Sequence, residues 1–202
     1  TIVVTLPAAA GLVLLANEVV EVLFVGGKFG GSDIAPTVLT TCCLVIGLPF
    51  LGLAQLYARA FYAVGDTTTP ARTAAKLVVG NLIISILLLV TTDMGTAALT
   101  LSSSITSFGN ATLLSRKFRQ HAAPTNSLAM AWVRSLIATG AMCAVIPFVC
   151  IAPDDASLLA QATGNLVLPI SVGMLVYVAA HLLMRSPELR ALIRKTSPKP
   201  KT

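Results

Sequence analysis

The densest group of polar and aromatic side chains in the chain lies in one short segment. It comprises Arg59, Phe61, Tyr62, Asp66, Thr69 and Pro70. Asp66 can accept hydrogen bonds from the backbone amides of a turn and can pair with Arg59 or Arg72. Thr69 before Pro70 has the pattern of a helix N-cap followed by the first helical residue. The favoured prediction is therefore a rigid hairpin without substrate contact, and a substrate-contacting hairpin is the alternative.

Four further polar residues lie inside long apolar runs, namely Asn81, Asn110, Arg134 and Asn165. A polar group at membrane depth is a candidate for a transport pathway. A hydrogen bond between helices, worth about 0.6 kcal/mol on average, is the simpler role and is favoured for the three asparagines. Arg134 is near the end of its run, where its guanidinium can extend to the headgroup region. A role in a transport pathway is the alternative for Arg134.

Catalytic and metal-binding patterns are not found in the sequence. Neither His121 nor His181 has a nucleophile or a carboxylate at a spacing that would build a catalytic triad or a metal site. The cysteines have no CxxC spacing and occur in apolar runs, at Cys42, Cys43, Cys143 and Cys150. The sequence therefore predicts no enzyme, no metal and no cofactor.

The composition indicates which kind of structure holds these side chains in place. Hydrophobic residues make up 55% of the chain and charged residues 11%, whereas soluble domains have about a quarter charged residues. Apolar runs of about 20 residues cross the hydrocarbon core as helices. The runs are continuous and do not alternate, which favours helices over a barrel. We expect an all-α, polytopic membrane bundle.

Six transmembrane helices are expected. Their approximate bounds are 2–16, 36–63, 70–91, 96–115, 128–152 and 158–184. Kinks are predicted at Pro49 and Pro169, because a proline inside a helix removes one hydrogen bond. Residues 17–25 carry Glu18 and Glu21 and should form an interfacial helical turn.

The distribution of charge predicts the orientation. Threading six helices through a bilayer places thirteen of the fourteen Lys and Arg residues on one side, with Lys28 as the exception. Because cytoplasmic loops carry an excess of Lys and Arg, that side and the C-terminus should be cytoplasmic. Clustering of these cations in short loops and a tail predicts no nucleic-acid partner. The tail is predicted to be a topology signal, with anionic lipid headgroups as alternative contacts.

The hairpin segment resembles a motif of the MurJ (MviN) family, integral-membrane lipid II flippases of bacterial cell-wall synthesis. The family pattern reads Phe-Tyr-Ala/Ser, two variable residues, Asp, two variable residues and Thr-Pro. It is matched by Phe61, Tyr62, Ala63, Asp66, Thr69 and Pro70. Further similarities are found at Leu23, Phe24, Gly27, Phe29, Asp33, Gly47, Leu48, Pro49 and Asn110. The resemblance covers most of residues 1–120.

The resemblance implies a two-lobe, fourteen-helix fold of the multidrug/oligosaccharidyl-lipid/polysaccharide exporter type, with this chain as helices nine to fourteen. Residues 1–120 would be the last four helices of the second lobe. Residues 121–184 would be a final helix pair that borders a groove for a polyprenyl tail. Residues 185–202 would be a basic cytoplasmic tail.

The implied function is the flipping of lipid II across the bacterial cytoplasmic (inner) membrane. The residues proposed to bind its pyrophosphate are not in this sequence, so the chain is expected to be a fragment that does not transport alone. Membrane lipids and cell-wall synthesis proteins are further expected partners.

Two other functions remain open. One is another exporter of the same superfamily, either an O-antigen-type flippase or a cation-coupled drug exporter. A cation-coupled exporter would normally carry an intramembrane carboxylate, and none is found mid-span. The other is a membrane scaffold that organises cell-wall synthesis without transport.

Overall fold

The computed structural model describes residues 2–24, 30–120, 126–149 and 162–184. Within these ranges the chain forms helices and short turns, without a β-strand. The α-helices are α1 (Ile2–Leu14), α2 (Ala16–Phe24), α3 (Gly31–Val45), α4 (Leu48–Ala63), α5 (Thr68–Thr91), α6 (Thr96–Phe118), α7 (Asn126–Val145) and α8 (Leu168–Leu183). A 3-10 turn, Ile146–Phe148, continues α7, and a π-helical turn, Ala162–Val167, precedes α8.

The predicted helical segments appear as helices within the described ranges, and the all-α membrane fold is confirmed. In the part of the chain that the structure describes, three helical stretches are long and apolar enough to span a bilayer: Gly31–Ala63, Thr68–Thr91 and Gly164–Leu183. A fourth is obtained if α1 and α2, which meet at 70°, count as one broken span. The number of six spans therefore stays a prediction. Residues 25–29, the junction between the predicted fifth and sixth helices at residues 150–161, and the basic tail lie outside the described residues.

Helix α6 is the centre of one half of the bundle and packs against α3, α4 and α5. The face of α6 that is buried there carries small side chains, at Ala97, Ala98, Ser102, Ser104 and Ala111. Small residues allow helix backbones to approach closely in lipid, where no hydrophobic force drives helices together. The sequence therefore makes α6 a packing hub through its side-chain size.

Helix α1 joins this half to the other, which consists of α7 and α8. Ile2 packs with Leu53, Ala54 and Ala111, beside the half-buried Phe50 and Trp132. Val3, the next residue, packs with a second cluster, which includes Leu15, Ala138, Met142, Ile146 and Tyr177. Two neighbouring residues of α1 thus bind the two halves together.

The outward surface is apolar, as expected for a protein that faces lipid. On α5, the exposed side chains include Val78, Leu82, Ile86 and Val90. In water such a ridge would be an association or aggregation site. The distribution of burial therefore agrees with a bilayer environment for this helix.

The long span Gly31–Ala63 is interrupted just before Pro49. The Gly47 N–H donates to the Leu44 carbonyl at 3.1 Å, so the Cys43 carbonyl loses its usual partner four residues on. The Ser104 hydroxyl of α6 donates to that carbonyl instead. Pro49 is the second residue of α4, where a missing N–H costs nothing. The kink predicted at Pro49 therefore lies at Ile46–Gly47. Pro169 is likewise the second residue of α8.

The contact at the Gly47 break yields a first prediction. A Cβ added at Gly47 would lie 2.5 Å from Ser104 Oγ and 2.8 Å from Ser104 Cα. The α6 backbone would have to move, so Gly47→Ala should destabilise the bundle by about 1–3 kcal/mol. Thermal unfolding in detergent measures this change.

Gly80→Ala is the matched control, because a Cβ at Gly80 meets nothing within 4 Å. It should leave the stability unchanged or raise it by about 0.5–1 kcal/mol, since alanine is the better helix former. Equal effects of the two substitutions would contradict the proposed close contact.

Candidate functional site

The turn between α4 and α5 is organised by Asp66. Its Oδ1 accepts hydrogen bonds from the Thr68 N–H at 3.1 Å, the Thr69 N–H at 2.9 Å and the Thr68 hydroxyl at 3.0 Å. Asp66 thus satisfies the first N–H groups of α5, which begins at Thr68. The prediction that Thr69 caps a helix that starts at Pro70 was wrong: the carboxylate three residues earlier takes that role. Gly65 has φ +82°, a conformation that favours glycine.

These hydrogen bonds also determine the charge state of the turn. Hydrogen bonds from Thr69, and then from Thr68, lower the pKa of Asp66 from 3.8 to about 2. The predicted ion pair of Asp66 with Arg59 or Arg72 is not formed among the described residues. Asp66 is therefore an ionised helix cap throughout the physiological pH range.

The other motif residues divide between the protein interior and its surface. Phe61 is 0% exposed, and its ring meets that of Phe118 edge-on at 5.3 Å between centroids. Pro70 is buried, whereas Arg59 and Tyr62 are exposed. These positions agree with the favoured prediction of a rigid connector. A functional role for Arg59, Phe61, Tyr62, Asp66, Thr69 and Pro70 stays a prediction.

Asn81 forms hydrogen bonds between α5 and α6. Its Oδ1 accepts from the Ser85 hydroxyl at 3.1 Å and from the Ser102 hydroxyl at 3.3 Å. Its Nδ2 donates to Ser103 Oγ at 3.5 Å. Three groups from two helices thus meet at one amide, which is the interhelical role that the sequence favoured.

The remaining intramembrane polar residues lie on other elements. Asn110 is on α6, and its buried Oδ1 has no hydrogen-bond partner among the described residues. Arg134 is half-buried on α7, and its guanidinium lies 3.4 Å from Met130 Sδ. Asn165 is in the π-helical turn. A pathway role for these residues, and for Asn81, stays a prediction.

A cavity of about 480 Å³ lies between α1, α7 and α8. We call it the apolar groove. Its lining includes Val3, Pro7, Gly11, Met142, Ile170, Gly173 and Tyr177. No charged side chain is among the described lining residues. The groove can therefore hold a hydrocarbon chain by burial and dispersion contacts, but it offers no partner to an anion.

Two glycines shape the groove. A Cβ at Gly173 would lie 3.2 Å from Met142 Cγ and 3.3 Å from Ile146, so α8 packs tightly on α7 there. A Cβ at Gly11 would meet only Met142 Cε, at 3.7 Å. The resemblance located a groove on the last two helices, and sequence reasoning missed α1 as its third wall. The signal was present in the segment from Pro7 to Gly11, whose small side chains interrupt a run of bulky apolar residues.

Comparison with known proteins gives the family. The family model described as lipid II flippase MurJ matches residues 1–155. The chain belongs to the MurJ family. The activity in that description, lipid flipping, is transport rather than catalysis. The resemblance drawn from the hairpin motif is confirmed.

Relatives and a solved structure agree with this placement. The probable lipid II flippase MurJ of Thermotoga maritima is 26% identical over 195 residues, or 96% of this chain and 38% of that protein. That of Rhizobium tropici is 29% identical and covers 97% of this chain and 38% of its own length. The chain thus spans well under half of these relatives.

A solved structure, "Lipid II flippase MurJ, inward closed conformation", superposes with a TM-score of 0.75 at 22% identity. The match covers 95% of this chain and 37% of the chain in the solved structure. At this level of identity the likeness shows the fold. The division of this chain at residues 120 and 184 stays a prediction.

The lowered pKa of Asp66 predicts how stability depends on pH. Because the folded pKa lies below the ordinary value, the contribution of the carboxylate is complete above about pH 5 and is lost as the pH falls from about 4 towards 2. Asp66→Ala should lower the melting temperature at neutral pH and flatten its decline in acid. Melting curves between about pH 6 and 2.5 test this.

The control is Asp93→Ala, at an exposed aspartate in the turn between α5 and α6 that accepts no hydrogen bond among the described residues. The melting temperature of this variant should follow that of the unmodified chain between about pH 6 and 2.5. If the melting temperature of Asp66→Ala fell as steeply in acid as that of the control, Asp66 would not be the group that titrates.

The Asn81 network predicts energetic coupling between α5 and α6. In a double-mutant cycle, Asn81→Ala and Ser102→Ala should be coupled by about 0.6–1.7 kcal/mol, the range for such bonds in membrane proteins. Asn81→Ala and Thr112→Ala should be additive, because the Thr112 hydroxyl bonds the Phe108 carbonyl of its own helix. Unfolding titrations in mixed micelles measure both cycles, and additivity of the first would contradict the network.

Proposed function

We propose that this chain forms the C-terminal part of a lipid II flippase, and that its apolar groove holds the polyprenyl tail while the headgroup crosses the membrane. The observation that carries the proposal is a groove between α1, α7 and α8, without a charged side chain among its described lining residues, in a member of the MurJ family. Both relatives described above are named as probable lipid II flippases.

The two parts of this substrate, its hydrocarbon tail and its charged headgroup, need different environments. A polyprenyl chain is most stable in lipid or against apolar side chains, whereas a pyrophosphate needs charged or hydrogen-bonding partners. The groove provides the first environment and not the second. The tail can therefore remain bound here while other residues shield the headgroup.

The distribution of charge supports a cytoplasmic position for the α4–α5 hairpin and the C-terminus in a bacterial inner membrane. The packing of Phe61 on Phe118 brings the ends of α4 and α6 together. The Lys117 ammonium donates to Thr73 Oγ1 at 3.0 Å, which places the start of α5 beside them. That end of the bundle carries the cations Arg59, Arg72, Lys76, Arg116, Lys117 and Arg119. By the positive-inside rule, this is the cytoplasmic end.

Two irregular helix segments support movement during transport. The long span is broken at Gly47, and a π-helical turn precedes α8. Breaks of this kind are the sites where helices of transporters bend in alternating access. We assign them as the bending points of this bundle.

The groove can be filled to test the proposal. Gly11→Leu should occupy it, because Gly11 lines the cavity and a Cβ there makes only an ordinary contact. We expect lipid II flipping by a whole flippase that contains this segment, measured by complementation of flippase-depleted cells and in proteoliposomes, to fall at least about tenfold, which corresponds to about 1.4 kcal/mol.

Gly80→Leu is the matched control, since a side chain at Gly80 points into open space on α5. It should transport normally. Melting temperatures of both variants show whether they fold. Normal flipping by a folded Gly11→Leu variant would reject the tail site. Normal complementation by Gly11→Leu without measurable flipping by the unmodified protein would favour the scaffold.

A further inference from the structure

A proline in α1 leaves one backbone carbonyl without its helical partner. In an α-helix the carbonyl of residue 3 accepts the N–H of residue 7, but residue 7 is Pro7, which has no N–H. Val3 is buried, so water cannot replace the missing donor. A buried carbonyl without a partner is strongly unfavourable in lipid.

A tyrosine of the last helix supplies the missing donor. The Tyr177 hydroxyl of α8 donates to the Val3 carbonyl at 2.6 Å, and the tyrosine side chain is only 6% exposed. One helical turn further, His181 is 1% exposed and its Nε2 lies 2.9 Å from the Tyr177 oxygen. Since the single phenolic proton is given to Val3, His181 Nε2 must donate to the tyrosine oxygen. Helix α8 is thus bonded to α1 by the Tyr177 hydroxyl, whose oxygen is in turn bonded by His181 of the same helix.

This contact lies in the wall of the apolar groove. Val3, Pro7 and Tyr177 all line the cavity. On its other side, α8 is held to α7 by the close approach at Gly173. The distance between α1 and α8 is therefore the dimension of the groove that one hydrogen bond controls.

We infer that Tyr177 is a latch that sets the width of the groove at the end where α1 begins and α8 ends. Pro7 creates the acceptor, and Tyr177 binds it. The tail-binding consequence rests on the proposed function: Tyr177 is then a positioning residue that holds the groove at the width of one hydrocarbon chain. Release of the latch would let α1 and α8 separate and the tail enter or leave.

The first test is a double-mutant cycle on the full chain in lipid nanodiscs. Tyr177→Phe should lower the melting temperature by about 2–4 °C when residue 7 is proline. In a Pro7→Ala background the shift should nearly vanish, because an alanine at position 7 has an N–H that can bond the Val3 carbonyl. Tyr57→Phe is the control, since the Tyr57 ring packs on Phe118 and its hydroxyl has no hydrogen bond among the described residues. Its effect should be the same in both backgrounds.

The second test measures the groove directly. Spin labels at Val4→Cys and Leu182→Cys, two exposed positions on α1 and α8, report the distance between the helices by double electron–electron resonance. The native cysteines are replaced in all samples. Tyr177→Phe should broaden the distribution towards longer distances, and Tyr57→Phe should leave it unchanged. An unchanged distribution in Tyr177→Phe, or equal melting shifts in both residue-7 backgrounds, would overturn the latch.

A transport readout separates the latch from the tail site. If the latch positions the tail, Tyr177→Phe should raise the KM for lipid II flipping several-fold more than it changes kcat. A latch that passes the cycle and the distance test but leaves KM unchanged shows that Tyr177 does not position the tail. Failure of the tail proposal itself appears separately, as normal flipping by Gly11→Leu.

Discussion

The constraint on which this structure depends is the need to satisfy every backbone polar group without water. Regular helices meet it internally, and broken helices cannot. At the Gly47 break and at Pro7, a hydroxyl from another helix supplies the donor: Ser104 for the Cys43 carbonyl, and Tyr177 for the Val3 carbonyl. Each break therefore creates a specific tertiary contact. The same residues thus supply both an interruption in a helical hydrogen-bond pattern and a defined helix neighbour.

The two halves of the bundle use different means of cohesion. Around α6, small side chains and the Asn81 amide bring helices close and link them by hydrogen bonds. Around the groove, bulky apolar side chains pack against α1, and Gly173 allows the α8 backbone to approach the side chains of α7 closely. The first arrangement holds the helix backbones close together. The second leaves room beside α1, which is where the cavity lies.

Much of the helical layout could be predicted, because continuous apolar runs have one stable form in lipid. The hairpin at Asp66 was also predictable, since its turn residues act locally. The exact cap was not: Thr69 and Asp66 both suit the role, and only the turn geometry decides between them. The break at Gly47 involves the contact of Ser104 with Cys43, and the third wall of the groove involves the contact of Tyr177 with Val3. In each pair the two residues are more than fifty positions apart in the sequence. Periodicity and local motifs can mark an interrupted run, as at Pro7, but they do not show which distant residue packs or bonds there.

The chemistry of the groove explains why its control should be indirect. A hydrocarbon chain offers no hydrogen bond or charge by which a protein could sense it, so binding depends on width and apolar area alone. A single bond that fixes the spacing of two walls is therefore an effective place for regulation. A phenol suits this position, because its ring forms part of the apolar wall while its hydroxyl bonds the carbonyl that Pro7 exposes. The same side chain thus belongs both to the surface that we propose contacts a tail and to the bond that sets the spacing of α1 and α8.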